Sequence, residues 1–141
     1  MTPEDLARLH RAAFTAQRPW SESEFRDLLA SPHVFLVTTD HAFALGRVIA
    51  GEAELLTIAT DPAHQRQGQG LAALELYHEE AAQRGAETCF LEVAENNLPA
   101  IALYSQNGYE KTAERPGYYR QPDGSRVAAW IMTRQLTQSH P

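Results

Sequence analysis

The chain has 141 residues, 43% of them hydrophobic, and a formal net charge of −6. This length and composition fit one globular domain with a real core, and the negative charge argues against a broad surface for nucleic acid or anionic membrane. The single cysteine, Cys89, excludes an internal disulfide, and no stretch resembles a signal peptide or a membrane span, so we expect a cytoplasmic protein.

Two helices and three strands are predicted for the first sixty residues. Pro3, the acidic residues after it and an apolar face predict a helix over residues 3–16. Ser21, followed three residues later by Glu24, is a capping-box pattern and opens a second helix that ends near Pro32. Strands are predicted over residues 33–39, 42–50 and 52–60.

Helices and strands alternate in the second half. One helix is predicted over 69–84, ending at Gly85, and a shorter one begins at Asn96 or Asn97 and ends at Asn107-Gly108. Strands are predicted over 88–93, 109–113 and 126–136, with a loop containing Pro116, Gly117, Pro122 and Gly124 between the last two. The order predicts a mixed α/β fold with antiparallel hairpins first and a β-α-β crossover later. We expect one domain over 1–136 and a flexible tail over 137–141.

A glycine-rich segment, QRQGQG, lies where a strand has ended and a helix begins. Unpaired N–H groups and the positive helix end suit a phosphate there. Gly68 and Gly70 let the main chain approach an anion, and Arg66 can add a charge-assisted bond. The alternative is a mobile loop before an ordinary helix. Ala73 replaces the third glycine of a dinucleotide fingerprint and Gly70 is not followed by lysine as in a Walker loop, so another kind of phosphate ligand is predicted.

This segment resembles the Q/R-x-x-G-x-G/A signature of the GNAT superfamily of N-acetyltransferases. The stretch LEVAENNLPAIALYSQNGY is similar to the L-E-V-R-x-x-N-x-x-A-x-x-L-Y-x-x-x-G-F/Y pattern of the bacterial ribosomal-protein-alanine N-acetyltransferases (RimI type), and HRAAFTAQRPWSESEF and RPGYY resemble further parts of that family. The resemblance covers nearly the whole chain. It implies a mixed, mostly antiparallel sheet flanked by helices, and transfer of acetyl from acetyl-CoA, without a metal, to the N-terminal amine of a ribosomal or other protein, with alanine as the first residue, in a ternary complex.

The resemblance also implies a cofactor site. In that superfamily a bulge splays the central strand, here AELLTIATDP, from its neighbour, and the freed backbone groups hold the pantetheine arm. Carried over, the residues that contact pantetheine and acetyl are Ile58, Ala59 and Thr60. Those that contact the phosphates are Arg66, Gln67, Gly68, Gln69, Gly70 and Leu71. Asn97 matches a coenzyme-contacting asparagine, although it can also be a simple helix cap.

Two residues are candidates for catalysis. Glu92 lies in the otherwise apolar strand CFLEV, where a carboxylate is costly without a role or a partner, and the resemblance makes it the general base, acting through water. Tyr104 follows on the next helix, and the resemblance makes it the acid that protonates the departing thiolate. The alternatives are a solvent-facing glutamate and a core tyrosine.

Other residues carry less specific signals. Cys89, three residues before Glu92, is expected on the opposite strand face in buried packing. The histidines show no metal-ligand spacing. Tyr118 and Tyr119 line a peptide groove or simply pack in their loop.

The chain departs from the family pattern at three places, and other functions remain open. Ala94 replaces an arginine, Gly51 replaces an acidic residue, and the family's first strand is expected to be absent. The acceptor could instead be a small-molecule amine. A non-catalytic acyl-CoA-binding module and a nucleotide-binding protein are further alternatives.

Overall fold

The computed structural model describes residues 1–14 and 19–136; the expected tail and the last two residues of the first predicted helix lie outside this part. The helices are α1 (Pro3–Ala13), α2 (Glu22–Leu29), α3 (Gln69–Gln83) and α4 (Leu98–Gln106), with a 3-10 turn at Pro62–His64. The strands are β1 (Val34–Thr38), β2 (Ala42–Ile49), β3 (Glu52–Thr60), β4 (Thr88–Ala94), β5 (Glu110–Arg120) and β6 (Arg126–Gln135). None of the helices in the described part is long and apolar enough to span a bilayer.

Local capping explains where the first two helices begin. The capping box predicted for α2 is confirmed: Ser21 Oγ accepts from Glu24 N–H at 3.2 Å, and the Glu24 carboxylate accepts from Ser21 N–H at 3.0 Å. Thr2 and Asp5 form a second capping box at the start of α1. Helix α1 ends earlier than expected, because Phe14 has an extended backbone with φ −103° and ψ 99°.

The six described strands form one sheet in the order β1-β2-β3-β4-β6-β5. Neighbouring strands are antiparallel except β3 and β4, which run parallel and are joined through α3. This confirms the mixed, mostly antiparallel sheet and the late β-α-β crossover. Helix α1 is the first element among the described residues.

Each face of the sheet carries its own hydrophobic cluster. On one face α3 and α4 cover the sheet, and the buried residues include Leu74, Tyr77, Cys89, Leu91, Val93, Tyr104 and Met132. On the other face α1 and α2 cover β1–β3, with Leu6, Phe25, Phe43 and Leu45 fully buried. Gly46 is required where α3 packs, since a Cβ there would stand 2.6 Å from the Tyr77 ring and 2.5 Å from that of Phe35.

The prediction of a long loop between the last two strands is largely wrong. Strand β5 continues to Arg120 and pairs with β6 through two irregularities, one between Lys111 and Ala113 and one between Arg115 and Tyr119. The second irregularity contains the proline and glycine that suggested a loop; extra residues in a bulge need no partner, so a proline without an N–H is tolerated there. The pairing resumes with Tyr119 opposite Val127.

Candidate active site

A wedge-shaped opening separates β3 from β4. The two strands pair at Glu52–Thr88, Ala53–Cys89 and Glu54–Phe90, and the pairing ends there although both strands continue. Beyond this point the backbone groups of β3 that face β4 have no ladder partner in β4. An extended ligand can therefore bind the main chain of β3 inside the sheet, as a short additional strand would.

A bulge in β3 accompanies the opening. Leu45 of β2 pairs with Thr57, whereas Gly46 pairs with Leu55, so Leu56 is an extra residue. Bulges bend a strand and increase its twist, and this one lies where β3 begins to diverge from β4. The splayed central strand implied by the family resemblance is thus observed, and the bulge that accompanies it lies in the pairing of β3 with β2.

The glycine-rich loop leads from the end of β3 into α3. Residues 65–68 are exposed, and both Arg66 (φ 66°) and Gly68 (φ 78°) have left-handed backbones. Gly68 is the N-cap of α3 and provides no side-chain hydrogen bond to the first turn. A Cβ on Gly68 would meet nothing within 4 Å. The start of α3 is therefore open to solvent, with amide groups that an anion can reach.

The start of α3 also closes one end of the opening. The Cβ position of Gly70 lies 3.6 Å from Thr60 Oγ1 and 3.8 Å from Leu103 Cδ2. These contacts bring the last residue of β3, the first turn of α3 and the middle of α4 together. A ligand whose phosphates bind the α3 amides can thus continue along β3 toward α4.

The remaining predicted cofactor residues differ in where they point. Ile58 packs against the α3–α4 cluster and Ala59 is buried in the other, so contact of both with one ligand would have to involve backbone atoms. Gln69 directs its side chain away from the loop, where its Oε1 accepts from His41 N–H at 3.2 Å and from the Thr39 hydroxyl. Gln67 and Leu71 are exposed on the loop and the first turn of α3. Their roles as cofactor ligands stay predictions.

Asn97 begins α4 as a helix cap. Its Oδ1 accepts from Ala100 N–H at 3.3 Å, which satisfies one of the free donors of the first turn. The residue is exposed, so its amide nitrogen is accessible to a ligand. The capping role is confirmed, and the coenzyme contact stays a prediction.

Glu92 lies just inside the opening, two residues beyond the last β3–β4 pair. Cys89 and Leu91 point into the α3–α4 cluster, as predicted from strand alternation, so Glu92 projects from the opposite face of β4. The side chain is 23% exposed, and its Oε1 lies 3.4 Å from Arg115 Nη1. This carboxylate therefore has a cationic partner and still remains accessible to solvent.

Tyr104 lies on α4 and is buried, with 6% of its surface exposed. Its ring packs edge-on against Tyr109, at 5.8 Å between centroids. Burial raises the pKa of Tyr104 above its usual value, and the neighbouring Tyr119 phenol raises it further. The hydroxyl is therefore protonated at neutral pH and can donate a hydrogen bond.

Tyr119 links the two candidate catalytic residues electrostatically. Burial raises its pKa to about 12, and the Glu92 carboxylate and the Tyr118 phenol contribute to the increase. Tyr119 also raises the pKa of Tyr104. One phenol is thus close enough to influence both residues, which come from opposite faces of the sheet. With its pKa raised, the Tyr119 phenol is protonated at neutral pH and is available as a donor.

Sequence reasoning assigned no role to Arg115 and left that of Tyr119 undecided. Both belong to RPGYY, so the signal was present in the chain, but their approach to Glu92 depends on the irregular pairing of β5 with β6. Arg115 also stacks on Tyr118, with its guanidinium carbon 5.3 Å from the ring centroid. A cation and two phenols of β5 are thus grouped beside Glu92.

Comparison with known proteins agrees with this geometry. The model of the Acetyltransferase (GNAT) family matches residues 4–109. The chain is 40% identical over 123 residues to the [ribosomal protein bS18]-alanine N-acetyltransferase of Escherichia coli (strain K12), covering 84% of this chain and 82% of that one. It is 35% identical over 123 residues to the N-alpha-acetyltransferase RimI of Mycobacterium tuberculosis, covering 81% of this chain and 76% of that one.

A solved structure shares the fold closely. The crystal structure of the ribosomal-protein-S18-alanine N-acetyltransferase from Escherichia coli superposes with a TM-score of 0.84 at 35% sequence identity, covering 95% of this chain and 87% of that one. The family match spans most of the chain, and the fold and the relatives, which align over most of their own length, indicate the same family. The chain belongs to the GNAT family of acetyltransferases and is an N-acetyltransferase of the RimI type.

Proposed function

We propose that this enzyme transfers the acetyl group of acetyl-CoA to the N-terminal amine of a ribosomal protein of the small subunit, with alanine as the first residue. The proposal assigns the whole reaction to one domain over residues 1–136 and places it in the cytoplasm with its acceptor. The identity of 40% to a bS18-alanine N-acetyltransferase is the observation that carries the choice of acceptor.

The exposed loop supports binding of the acetyl-CoA diphosphate. The left-handed backbones of Arg66 and Gly68 turn successive amides outward at the positive end of α3, an arrangement that favours anions. Pantetheine is itself an amide-containing chain, and it can pair with the free edge of β3 over Ile58–Thr60. This path brings the thioester to the opening between Glu92 and Tyr104.

The chemistry requires a neutral amine. Glu92, through a water molecule, accepts a proton from the acceptor amine, and the amine nitrogen attacks the thioester carbonyl carbon. The C–N bond forms and the tetrahedral intermediate collapses as the C–S bond breaks. Tyr104 donates its hydroxyl proton, or a strong hydrogen bond, to the departing thiolate. The nitrogen loses its second proton as the intermediate collapses, and this proton, relayed through water, restores the Tyr104 hydroxyl. The proton taken up by Glu92 leaves to solvent, so that both residues return to their starting states.

An N-terminal amine suits this site better than lysine. An α-amine has a pKa near 8 and lysine one of about 10.4, and each unit of pKa corresponds to ~1.4 kcal/mol for forming the neutral amine. Glu92 already lies beside Arg115 at 3.4 Å. A cation next to the base opposes binding of a second cation, which favours an acceptor amine that loses its proton easily.

The test is an acetyl-transfer assay with a matched set of acceptors. The set contains a peptide with the N-terminal sequence of the small-subunit protein bS18, the same peptide with its α-amine blocked and a lysine added, and a panel of polyamines, amino acids and aminoglycosides. We expect the free Ala-starting peptide to have the highest kcat/KM and the blocked peptide to be inert. Higher kcat/KM for any small amine would overturn the choice of acceptor.

A further inference from the structure

A second cluster of chemically active side chains lies beside the glycine-rich loop. His41 is in the turn between β1 and β2, Asp61 is the N-cap of the 3-10 turn that follows β3, and His64 is the last residue of that turn. One possible ligand atom from each of the three lies within 4.8 Å of the other two. The two imidazole rings stack face to face, 3.4 Å between centroids and 5° between planes.

We propose that His41, Asp61 and His64 bind one divalent transition-metal ion of the Zn²⁺ class. Two imidazoles and one carboxylate form a donor set typical of Zn²⁺, and they suit Zn²⁺, Ni²⁺ or Cu²⁺ rather than Mg²⁺ or Ca²⁺, which prefer oxygen ligands. Nothing in the proposed transfer reaction uses these residues. The three side chains are thus distinct from the predicted acetyl-CoA ligands, although His41 N–H contacts the neighbouring Gln69 side chain.

The ligand atoms are available. Asp61 uses Oδ1 to accept from Ala63 N–H at 3.0 Å, which leaves Oδ2 for a metal. No ring nitrogen of His41 or His64 makes a hydrogen bond to another residue within 1–14 and 19–136, and all three side chains are half-buried. Three protein ligands with solvent nearby leave a fourth position for water, as is common for Zn²⁺.

The required rearrangement is small. Zn²⁺ bonds of about 2.0–2.1 Å in a tetrahedron place neighbouring ligand atoms about 3.3 Å apart, so the three atoms must approach by about 1.5 Å at most from their present limit of 4.8 Å. The stacked rings must also tilt apart, because each nitrogen lone pair lies in its ring plane. Both changes require rotation of the His41 and His64 side chains, which are half-buried.

The backbone holds the two segments in place for such a site. The amide of Asp61 donates to the carbonyl of His41 at 2.8 Å, so the two chain segments are already joined. The N–H of His41 donates to the side chain of Gln69, the first residue of α3. A bound metal would therefore cross-link the β1–β2 turn to the segment that leads into the loop, and we expect it to raise the melting temperature.

Isothermal titration of chelator-treated, tag-free protein with Zn²⁺ tests the proposal without acetyl-CoA or an acceptor. We expect one equivalent to bind, and His41→Ala and His64→Ala each to weaken binding at least about tenfold, since even outer partners of metal ligands change affinity about 10- to 100-fold. Asp61→Asn should weaken it too while retaining the cap, because asparagine also caps helices. This variant keeps the test valid if a histidine variant does not fold.

His33→Ala is the matched control. His33 is exposed at the other end of β1 from His41 and should leave Zn²⁺ binding unchanged. Co²⁺ provides an independent readout, because a tetrahedral Co²⁺ site with two imidazoles absorbs visible light, and this absorption should be absent in His41→Ala. Wild-type binding no tighter than that of the His41 and His64 variants, or an equal loss in His33→Ala, would overturn the proposal.

Discussion

Arg115 and Glu92 form an ion pair across the sheet, with Nη1 and Oε1 3.4 Å apart, although strand β6 lies between their strands. Glu92 pairs with Ile131 and Arg115 with Ala129, so the two side chains meet diagonally over β6 on the same face. The contact sets the carboxylate beside the β3–β4 opening. Arg115 is 56% exposed, and ion pairs of this kind contribute little to the free energy of unfolding.

Replacing the carboxylate of Glu92 should separate catalysis from cofactor binding. We expect Glu92→Gln to lower kcat with the bS18 peptide about 10²- to 10⁴-fold, the usual range for a general base, because the amide cannot accept the amine proton. The Kd for acetyl-CoA, measured by titration calorimetry, should stay within twofold of the wild-type value, about 0.4 kcal/mol.

Glu110→Gln is the control for Glu92→Gln. Glu110 is exposed on β5, and the same chemical change there should leave kcat as in the wild type. A Glu92→Gln enzyme with a normal kcat would remove the carboxylate from the mechanism and leave Glu92 only as the partner of Arg115.

Tyr104→Phe should reduce kcat with little loss of stability. Among the described residues no hydrogen bond involves the Tyr104 hydroxyl, and the buried polar atom without a partner is the Tyr77 hydroxyl. Removal of the Tyr104 hydroxyl leaves no group unpaired, and we expect kcat to fall about 10²-fold or more. Stopped assays and urea unfolding on the same preparation measure both quantities.

Tyr109→Phe serves as the comparison, because the same loss of a hydroxyl should there lower stability and leave kcat unchanged. Its hydroxyl contacts His78 Nε2 at 2.8 Å in the interior, so the substitution leaves a buried nitrogen unpaired at a cost of about 1–3 kcal/mol. We expect a stability loss with kcat preserved. If Tyr104→Phe behaved in this way too, Tyr104 would be a packing residue and another donor would have to protonate the thiolate.

Gly68→Asp should raise the KM for acetyl-CoA and leave that for the acceptor peptide unchanged. A carboxylate at the N-cap of α3 competes with the diphosphate for the same amides and repels it. A rise of about tenfold corresponds to 1.4 kcal/mol. Initial rates over a matrix of both substrates distinguish the two KM values.

Gly124→Asp controls for backbone strain in this experiment. Gly124 has φ 89° and, like Gly68 at φ 78°, no atoms near its Cβ position, but it lies in the β5–β6 turn. Equal effects of both substitutions on the acetyl-CoA KM would show that the loop does not bind the phosphates directly.

His78 should make the protein less stable in acid. Its Nδ1 accepts from the Arg134 guanidinium at 3.0 Å, so Nε2 carries the proton toward Tyr109. Burial and then Arg134 lower the pKa of His78 from 6.5 to about 4. The unfolded chain therefore binds a proton at His78 more readily than the folded protein does. The contribution of neutral His78 to the free energy of unfolding is present above pH 6.5 and is lost as the pH falls toward 4.

Urea unfolding at pH 7 and pH 5 measures this loss. We expect the wild type to lose ~2 kcal/mol more over this interval than His78→Gln, whose side chain does not titrate. His33→Gln, at an exposed position, should behave as the wild type does. An unchanged acid sensitivity in His78→Gln would assign the effect to other groups.

Local signals in the sequence identified most of the fold. Capping residues such as Ser21 and Asn97 and alternation in the strands depend on near neighbours, and they gave element types and most bounds correctly. The extension of β5 was missed because Pro116 and Gly117 normally interrupt a strand. Pairing with β6 beyond the bulge overrides that local preference, and such pairing cannot be read from neighbouring residues.

The candidate site likewise contains residues that local sequence identifies and contacts that it does not. Glu92, Tyr104 and the glycine loop stood out because each conflicts with its local setting or matches a family motif. The approach of Tyr119 to Glu92 and the meeting of His41 with Asp61 and His64 depend on how distant segments pack. Spacing along the chain therefore gave no indication of either contact.

A crystal structure with a bisubstrate analogue, coenzyme A joined through an acetyl bridge to the α-amine of an Ala-starting peptide, tests the central claim most directly. We expect the diphosphate within hydrogen-bond distance of the amides of residues 66–71, and the bridge between the Glu92 carboxylate and the Tyr104 hydroxyl. A diphosphate bound elsewhere, or a bridge that contacts neither side chain, would contradict the account.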